Sequence, residues 1–355
     1  MNKFWSPAIQ SLVPYTPGEQ PRIDGLTKLN TNENPYPPSP AVEHAIKHFS
    51  VERLRLYPDP DAGRLKDALA SEYKLNREQI FVGNGSDEVL ALAFMAFFRQ
   101  TRPLLMPEIS YSFYDVYANL FEIDYKKIPL DESFRVQLSD YSHENGGIIF
   151  ANPNAPTGIA IELADIEALL KRNTESLVLV DEAYVDFGAE SATSLVNKYP
   201  NVLVVQTFSK SRSLAGLRIG YAFGHPELIE ALERVKNSFN SYPLDMFAIE
   251  AGCASLSDRA YLNKTCQQII ATRERSAEAL EALNFVVCPS STNFLFAHHR
   301  TLTGAELMTY LRERKILVRH FNKPEIANYL RITVGTDEEM ERLIAALKAH
   351  PNIAS

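Results

Sequence analysis

The sequence of 355 residues predicts an α/β protein: a mostly parallel sheet covered by helices on both faces, followed by a second, smaller α/β layer. Three observations predict it. From about residue 41 to about 245, short apolar runs alternate with amphipathic helical patterns, which marks strands buried on both faces. After about residue 245 the pattern changes to long helical stretches, then short strands and a closing helix. At roughly 150 residues per domain, the length accommodates both units and a core that stands without disulfides or metals.

Residues 1–40 hold Pro7, Pro14, Pro17, Pro21, Pro35, Pro37, Pro38 and Pro40 and keep no period of 3.6 or 2, so they read as an extended arm plus a segment of the smaller domain. Residues 41–245 form the large domain. Helical patterns stand at AVEHAIKHF (41–49), GRLKDALASEY (63–73), SDEVLALAFMAFF (86–98) and LADIEALLKR (163–172). Strand-like runs lie at QIFVG, PLLMP, GIIFAN, LVLVDEA, VLVVQTF and RIGYAFG. Residues 246–355 form the small domain, with helix over much of 245–283, strands near FVV, NFLF, ILV and LRITV, and a last helix at EEMERLIAALKAH. No Gly/Ser linker separates the two parts, so they are expected to share a packed interface, where small-molecule sites often form.

Composition narrows the function. Charged residues make up 23% and hydrophobic ones 45%, which argues against disorder, collagen and coiled coil. With 44 acids against 36 Lys and Arg, the net charge of −8 disfavours generic binding to nucleic acid or anionic membrane, and any anion must be met by a local cationic pocket. Cys253, Cys266 and Cys288 are too few and too scattered for a metal or disulfide framework and read as reduced core residues. The N-terminus lacks the apolar stretch of a signal peptide, and the longest apolar run, Val89 to Phe98, is about half a membrane span, so the cytoplasm is the expected compartment.

Four stretches carry chemistry, each at or just after the end of a strand. In TFSKSRSLAGLRIG (207–220), Lys210 is flanked by Thr207, Ser209 and Ser211, and Arg218 follows. A lone lysine there is ordinarily a solvated loop residue; hydroxyls and an arginine beside it can hold a phosphate, and a desolvated lysine among cations can act as a neutral amine. In VGNGSDE (82–88), Gly83 and Gly85 permit a tight turn and Ser86 or Asp87 can cap the following helix, whose first N–H groups suit an anion. It fits neither the dinucleotide fingerprint nor the P-loop. In LVLVDEAY (177–184), Asp181 ends an apolar strand at the usual ligand-binding edge, where a buried anion needs a cationic partner; the plain alternative is a helix cap. In ANPNAPTG (151–158), two X-Pro bonds around Asn154 make either a plain turn or a rigid mount for a polar side chain, with a cis peptide allowed.

In this order and spacing, together with LNTNENPYPPSP (29–40), YPDPDAGRLKDAL (57–69), PEISYSFY (107–114), LVRHF (317–321) and LRITVGT (330–336), these stretches resemble the fold-type I pyridoxal-phosphate aminotransferases over nearly the whole chain. The resemblance implies a large domain with a mostly parallel seven-stranded sheet between helices, pyridoxal 5'-phosphate as cofactor, and a homodimer. It implies that Lys210 carries the cofactor as a Schiff base and moves the proton, that Asp181 pairs with the ring nitrogen, and that Tyr184 bonds the ring O3'. Gly85, Ser86, Asp87, Thr207, Ser209 and Arg218 would hold the phosphate, Tyr111 would stack on the ring, and Tyr57 would reach the cofactor phosphate of the neighbouring subunit. One departure stands out: the family's usual Asn before Pro-Thr-Gly is Ala155 here, which leaves Asn154 as the substitute O3' partner.

On the substrate side, Arg331 matches the family's anion-binding arginine, and Arg319 lies twelve residues earlier in a second short strand. Two arginines suit a substrate amine bearing a phosphate ester, alternating with glutamate and 2-oxoglutarate. Tyr15 and Asn32 of the proline-rich arm would close over the site; the plain reading of Tyr15 is an anchor for the arm. The competing readings are an aromatic aminotransferase or a phospho-amino-acid decarboxylase on the same scaffold, and a non-catalytic ligand sensor. The intact Lys210, Asp181 and Arg218 argue against the last.

Overall fold

The structure is a computed structural model that describes residues 3–6, 9, 10 and 12–353; Pro7 of the arm lies outside the described residues. Seven strands form the larger sheet: β2 (Ile80–Asn84), β3 (Leu104–Pro107), β4 (Tyr125–Ile128), β5 (Gly147–Ala151), β6 (Val178–Asp181), β7 (Val202–Thr207) and β8 (Ile219–Gly224), in the order β2-β8-β7-β6-β5-β3-β4. Only β8 runs antiparallel to its neighbours, so the carboxyl ends of β2, β5, β6 and β7 meet the amino end of β8 at one edge. Strands β5, β6 and β7 are buried along their whole length. Their period-two alternation divides them between two cores: Val178, Val180, Val202 and Val204 face one, Leu179, Leu203 and Val205 the other. Helices α1 (Pro40–Lys47), α2 (Gly63–Tyr73), α5 (Leu163–Arg172) and α7 (Met246–Ser257) close the first core. The second is closed by α3 (Gly85–Ala93), α4 (Phe113–Leu120) and α6 (Pro226–Phe239).

The smaller sheet has the order β1-β11-β12-β10-β9, from β1 (Thr27–Leu29), β9 (Phe285–Val287), β10 (Phe294–His299), β11 (Ile316–His320) and β12 (Tyr329–Thr333). It packs through Leu29, Leu295, Ile316, Val318 and Ile332 onto α9 (Gly304–Glu313) and α10 (Asp337–Lys348), both opened by capping boxes, Thr303/Glu306 and Thr336/Glu339. The long helical pattern at 245–283 is two helices, α7 and α8 (Arg259–Glu281), broken where the Asp258 carboxyl accepts the Tyr261 N–H at 3.1 Å. Helix α7 packs on α1 and α2, and its Ala248, Ile249, Ala251 and Leu256 belong to the first core. Only the far end of α8 reaches the small-sheet core, through Leu280. We therefore propose that the division between the domains falls within α8 rather than at 245/246.

Candidate active site

A cavity of about 160 Å³ opens where the carboxyl edge of the large sheet faces the small one. Strand ends bring Asp181 and Thr207 to it, the turns after β7 bring Ser209, Lys210 and Arg218, and the first turn of α3 brings Ser86 and Asp87. Tyr111 enters from the segment before α4, Tyr15 from the arm, Thr31 and Asn32 from the stretch after β1, and Arg331 from β12. Most of the residues expected from the sequence therefore meet in one place.

Asp181 is 5% exposed. Its Oδ2 accepts the Tyr114 hydroxyl at 2.7 Å and its Oδ1 accepts the Ala183 N–H at 3.3 Å. Burial pushes its carboxyl up to about 6, against the pull of those two bonds, and the nearby Asp87 charge adds to the rise. Among the described residues no lysine or arginine forms an ion pair with it, so the acid has a place for a cation from a ligand.

Lys210 Nζ donates to the Thr31 carbonyl at 3.2 Å and stands 5.7 Å from the centre of the Tyr184 ring. Its backbone is fixed by the Asn34 amide, which donates to the Lys210 and Ser211 carbonyls at 3.0 and 3.1 Å, and by the Ser211 hydroxyl on Asp186. The Tyr184 hydroxyl accepts the Asn32 amide at 2.9 Å. Asn32 sits at φ 57°, a left-handed conformation that asparagine tolerates, and is pinned by Thr333, whose hydroxyl accepts its N–H at 2.9 Å and donates to its Oδ1 at 3.0 Å.

At the other end lies an anion cradle. Arg218 donates to the Ser209 hydroxyl at 3.3 Å and to Asp87 Oδ2 at 3.1 Å, while Thr207 Oγ1 donates to Ser209 at 3.0 Å. Gly85, at φ 80°, lets the guanidinium cross the start of α3, because a Cβ there would collide with it. The first-turn N–H groups of α3 and the Arg218 charge converge on the same space. Tyr111 donates to Asp87 Oδ1 at 2.9 Å, and burial holds its phenol well above the ordinary value.

Arg331 donates to the Asn30 carbonyl at 3.0 Å, its Nε is buried with no partner among the described residues, and burial lowers its guanidinium from the ordinary value. Arg319 pairs with it in register across β11 and β12, so both project from the same face. Yet Arg319 does not line the cavity: it donates to the Thr16 carbonyl at 3.3 Å and holds the arm that carries Tyr15.

Two other expected residues lie elsewhere. Asn154 is buried beside the cavity, but its amide N–H groups are spent on the Ile109 carbonyl at 2.9 Å and Thr157 Oγ1 at 3.1 Å, and its Oδ1 accepts Ser110 at 2.8 Å. It has no donor left for a ring oxygen; it ties the proline loop, whose Asn152–Pro153 and Ala155–Pro156 bonds are both cis, to the segment before α4. Tyr57 is 81% exposed, its ring tilted by 30° against that of Tyr242 at 4.9 Å, and outside the cavity of its own chain. The sequence reading missed Thr31, whose backbone carbonyl leaves no side-chain signal, and Tyr114, which opens α4 three residues after Tyr111 and meets its ring edge-on.

A lysine, a buried acid without a cation and an arginine-hydroxyl cradle at the carboxyl edge of a seven-stranded, mostly parallel sheet define a fold-type I aminotransferase. Residues 24–347 match the family described as Aminotransferase class I and II, and the chain belongs to it. It is 61% identical to a histidinol-phosphate aminotransferase of Chromohalobacter salexigens, over 98% of this chain and 99% of that one. It is 58% identical to the histidinol-phosphate aminotransferase of Acinetobacter baylyi, over 99% and 98%. The histidinol-phosphate aminotransferase of Sinorhizobium meliloti, solved with pyridoxal-5'-phosphate, shares the fold with a TM-score of 0.86 at 24% identity, over 99% of this chain and 97% of that one.

Proposed function

We propose that the chain transfers an amino group between glutamate and the histidinol phosphate/imidazole-acetol phosphate pair, with pyridoxal phosphate as cofactor, in histidine biosynthesis. The observation that carries this reading is one cavity in which Lys210 meets a cation-less buried acid and an anion cradle. The residues fit the cofactor: Arg218, Ser209, Thr207 and the start of α3 suit its phosphate, Asp181 its ring nitrogen, Tyr184 its phenolic oxygen, Tyr111 its ring face and Lys210 its aldehyde. When bound, pyridoxal phosphate supplies an aldehyde that condenses with amines and a ring that accepts the electron pair left on Cα.

The chain's own groups do the rest. Asp181, ionised, keeps a proton on the ring nitrogen. Lys210 Nζ, oriented by the Thr31 carbonyl, removes the proton from the substrate's Cα. Arg331, with a free Nε, binds the phosphate ester of one substrate and a carboxylate of the other. Tyr15, stacked on Phe113 at 4.4 Å, covers the cavity from the arm and limits water.

The same reading includes a homodimer in the cytoplasm. Tyr57 continues an exposed apolar stretch with Val51, Leu54 and Leu56, a surface suited to burial against a second copy. Free Cys253, Cys266 and Cys288 suit a reducing compartment, and among the described residues no helix is long and apolar enough to cross a membrane.

The test is a half-reaction screen that follows the absorbance of the bound cofactor after addition of histidinol phosphate, phenylalanine, tyrosine or phosphothreonine. Histidinol phosphate is expected to convert it fastest. Faster conversion by phenylalanine or tyrosine would move the assignment to an aromatic aminotransferase, and release of carbon dioxide from phosphothreonine would move it to a decarboxylase.

A further inference from the structure

Tyr114 lies in the first turn of α4, and its side chain is 1% exposed. Its ring meets Tyr111 edge-on at 5.6 Å and lies 6.3 Å from Phe94, within the second core of the large sheet. One polar atom of this side chain enters an apolar environment, and it is aimed at Asp181: the hydroxyl donates to Oδ2 at 2.7 Å. Such a group is costly to bury unless its bond is made. The other carboxylate oxygen has only the longer Ala183 N–H contact, at 3.3 Å, so Oδ1 keeps the capacity to accept a further donor.

We propose that Tyr114 is a positioning residue for transamination, whose hydroxyl fixes the Asp181 carboxylate so that its remaining oxygen meets the cofactor's ring nitrogen. This rests on the function proposed above. The chemistry is a division of labour between two oxygens. A short bond to a charged acceptor is among the stronger hydrogen bonds of a protein interior, and here it holds the carboxylate from behind. Tyr114 stays a donor, because burial first and the Asp181 charge second hold its phenol well above the ordinary value. Its bond also lowers the Asp181 carboxyl against the effect of burial. The other titratable groups facing Asp181 are Asp87 from α3, whose charge opposes ionisation, and Tyr117 from α4, whose own hydroxyl donates to the Asp87 carbonyl at 2.9 Å. Of these, Tyr114 alone gives the acid a hydrogen bond.

Tyr114→Phe removes one oxygen and keeps the ring that fills the core. In the holoenzyme, kcat is expected to fall by roughly tenfold or more, with KM for glutamate changed by less than about twofold. The second readout does not depend on turnover. With ring-15N-labelled pyridoxal phosphate, the nitrogen of the variant is expected to lose its proton at lower pH than in the wild type, by about one unit or more. Tyr114→His, which can return an N–H donor on an aromatic body, is expected to recover part of both effects; it also serves if the phenylalanine variant does not fold. Wild-type nitrogen titration in a folded Tyr114→Phe enzyme overturns the role, whether or not kcat changes, since packing alone would then account for any loss. A wild-type chain that binds no pyridoxal phosphate would overturn the proposed function and this role together, whereas the first result leaves the function standing.

Discussion

Asp181 is a carboxyl that the fold has taken out of water without giving it a cation among the described residues, and much of the site's chemistry follows from that residue. Its protonation is favoured by burial up to about pH 6, so a ligand cation beside it both completes the ion pair and restores the charge. Asp181→Asn is expected to fold, because a neutral amide of the same size can still accept the Tyr114 hydroxyl and spares the fold the burial of an unpaired charge. It is expected to lose roughly 100-fold or more in kcat for want of a negative charge at the ring nitrogen. Circular dichroism and the glutamate half-reaction test this, and near-wild-type turnover by the folded variant would remove Asp181 from the site. A second outcome concerns Lys210: borohydride reduction and peptide mapping should find the pyridoxyl group on this lysine. A label on any other lysine would end the fold-type I assignment of roles. At this scale the sequence is legible where a polar side chain ends an apolar strand, as at Asp181 and Thr207, because the strand dictates both burial and direction. Asn154 was not legible in this way, because its neighbours Ile109, Ser110 and Thr157 consume its polar atoms and only the folded loop reveals that.

Elements place these residues through contacts that periodicity does not encode. Next to Asp181 and Thr207, on the opposite face of β6 and β7, Glu182 accepts the Gln206 amide at 2.7 Å, Ser191 at 2.6 Å and the Ala192 N–H at 2.6 Å, and Gln206 in turn accepts Tyr73 and Tyr221 at 2.8 and 3.0 Å. This ladder locks the two site-bearing strands together from behind. Glu182 is fully buried and its carboxyl is pushed by burial from 4.5 up to about 7. A carboxyl raised on folding stabilises the fold while protonated; the contribution is complete below its unfolded value and is lost as pH rises through about 7. The loss amounts to about 3 kcal/mol and accrues between the unfolded and folded values, so the melting temperature should decline between about pH 4.5 and 7, and Glu182→Gln should flatten that decline. An equal slope in the variant would assign the pH dependence to another group. Gly85→Ala is expected to force Arg218 off the start of α3 and to weaken cofactor binding by about tenfold or more, as measured by spectroscopic titration. The apolar runs of the central strands announced these elements in the sequence. Strand β4 did not, because YKKI is an edge strand with an exposed lysine. Nor did β1, three residues whose only pairing is with β11, nearly three hundred residues away.

At the scale of the whole molecule, the site is assembled from both layers and from the arm. Asn32 follows β1 and Arg331 lies on β12, Tyr15 comes from the arm, and Arg319 clasps the arm through Thr16, so movement between the layers would change the substrate end and leave the Arg218 cradle in place. The sequence motifs reached both sheets, and the boundary expected at 245/246 stands just before α7, whose small-residue helical text packs on α1 and α2. One expected site residue stays out of reach within its own chain: Tyr57, 81% exposed, points into solvent from an apolar stretch. If it completes the site of a second copy, activity must be separable between chains. Lys210→Ala and Tyr57→Phe, each far less active alone, are to be mixed under conditions that let subunits exchange. In a heterodimer with crossed sites, one site carries both lesions and the other carries neither, so activity should recover toward half of the wild-type value per heterodimer. If Tyr57 served its own chain, each site would carry one lesion and nothing would be gained. Verified exchange without recovery would therefore return Tyr57 to its own subunit, and a monomer at working concentration would remove the composite site altogether.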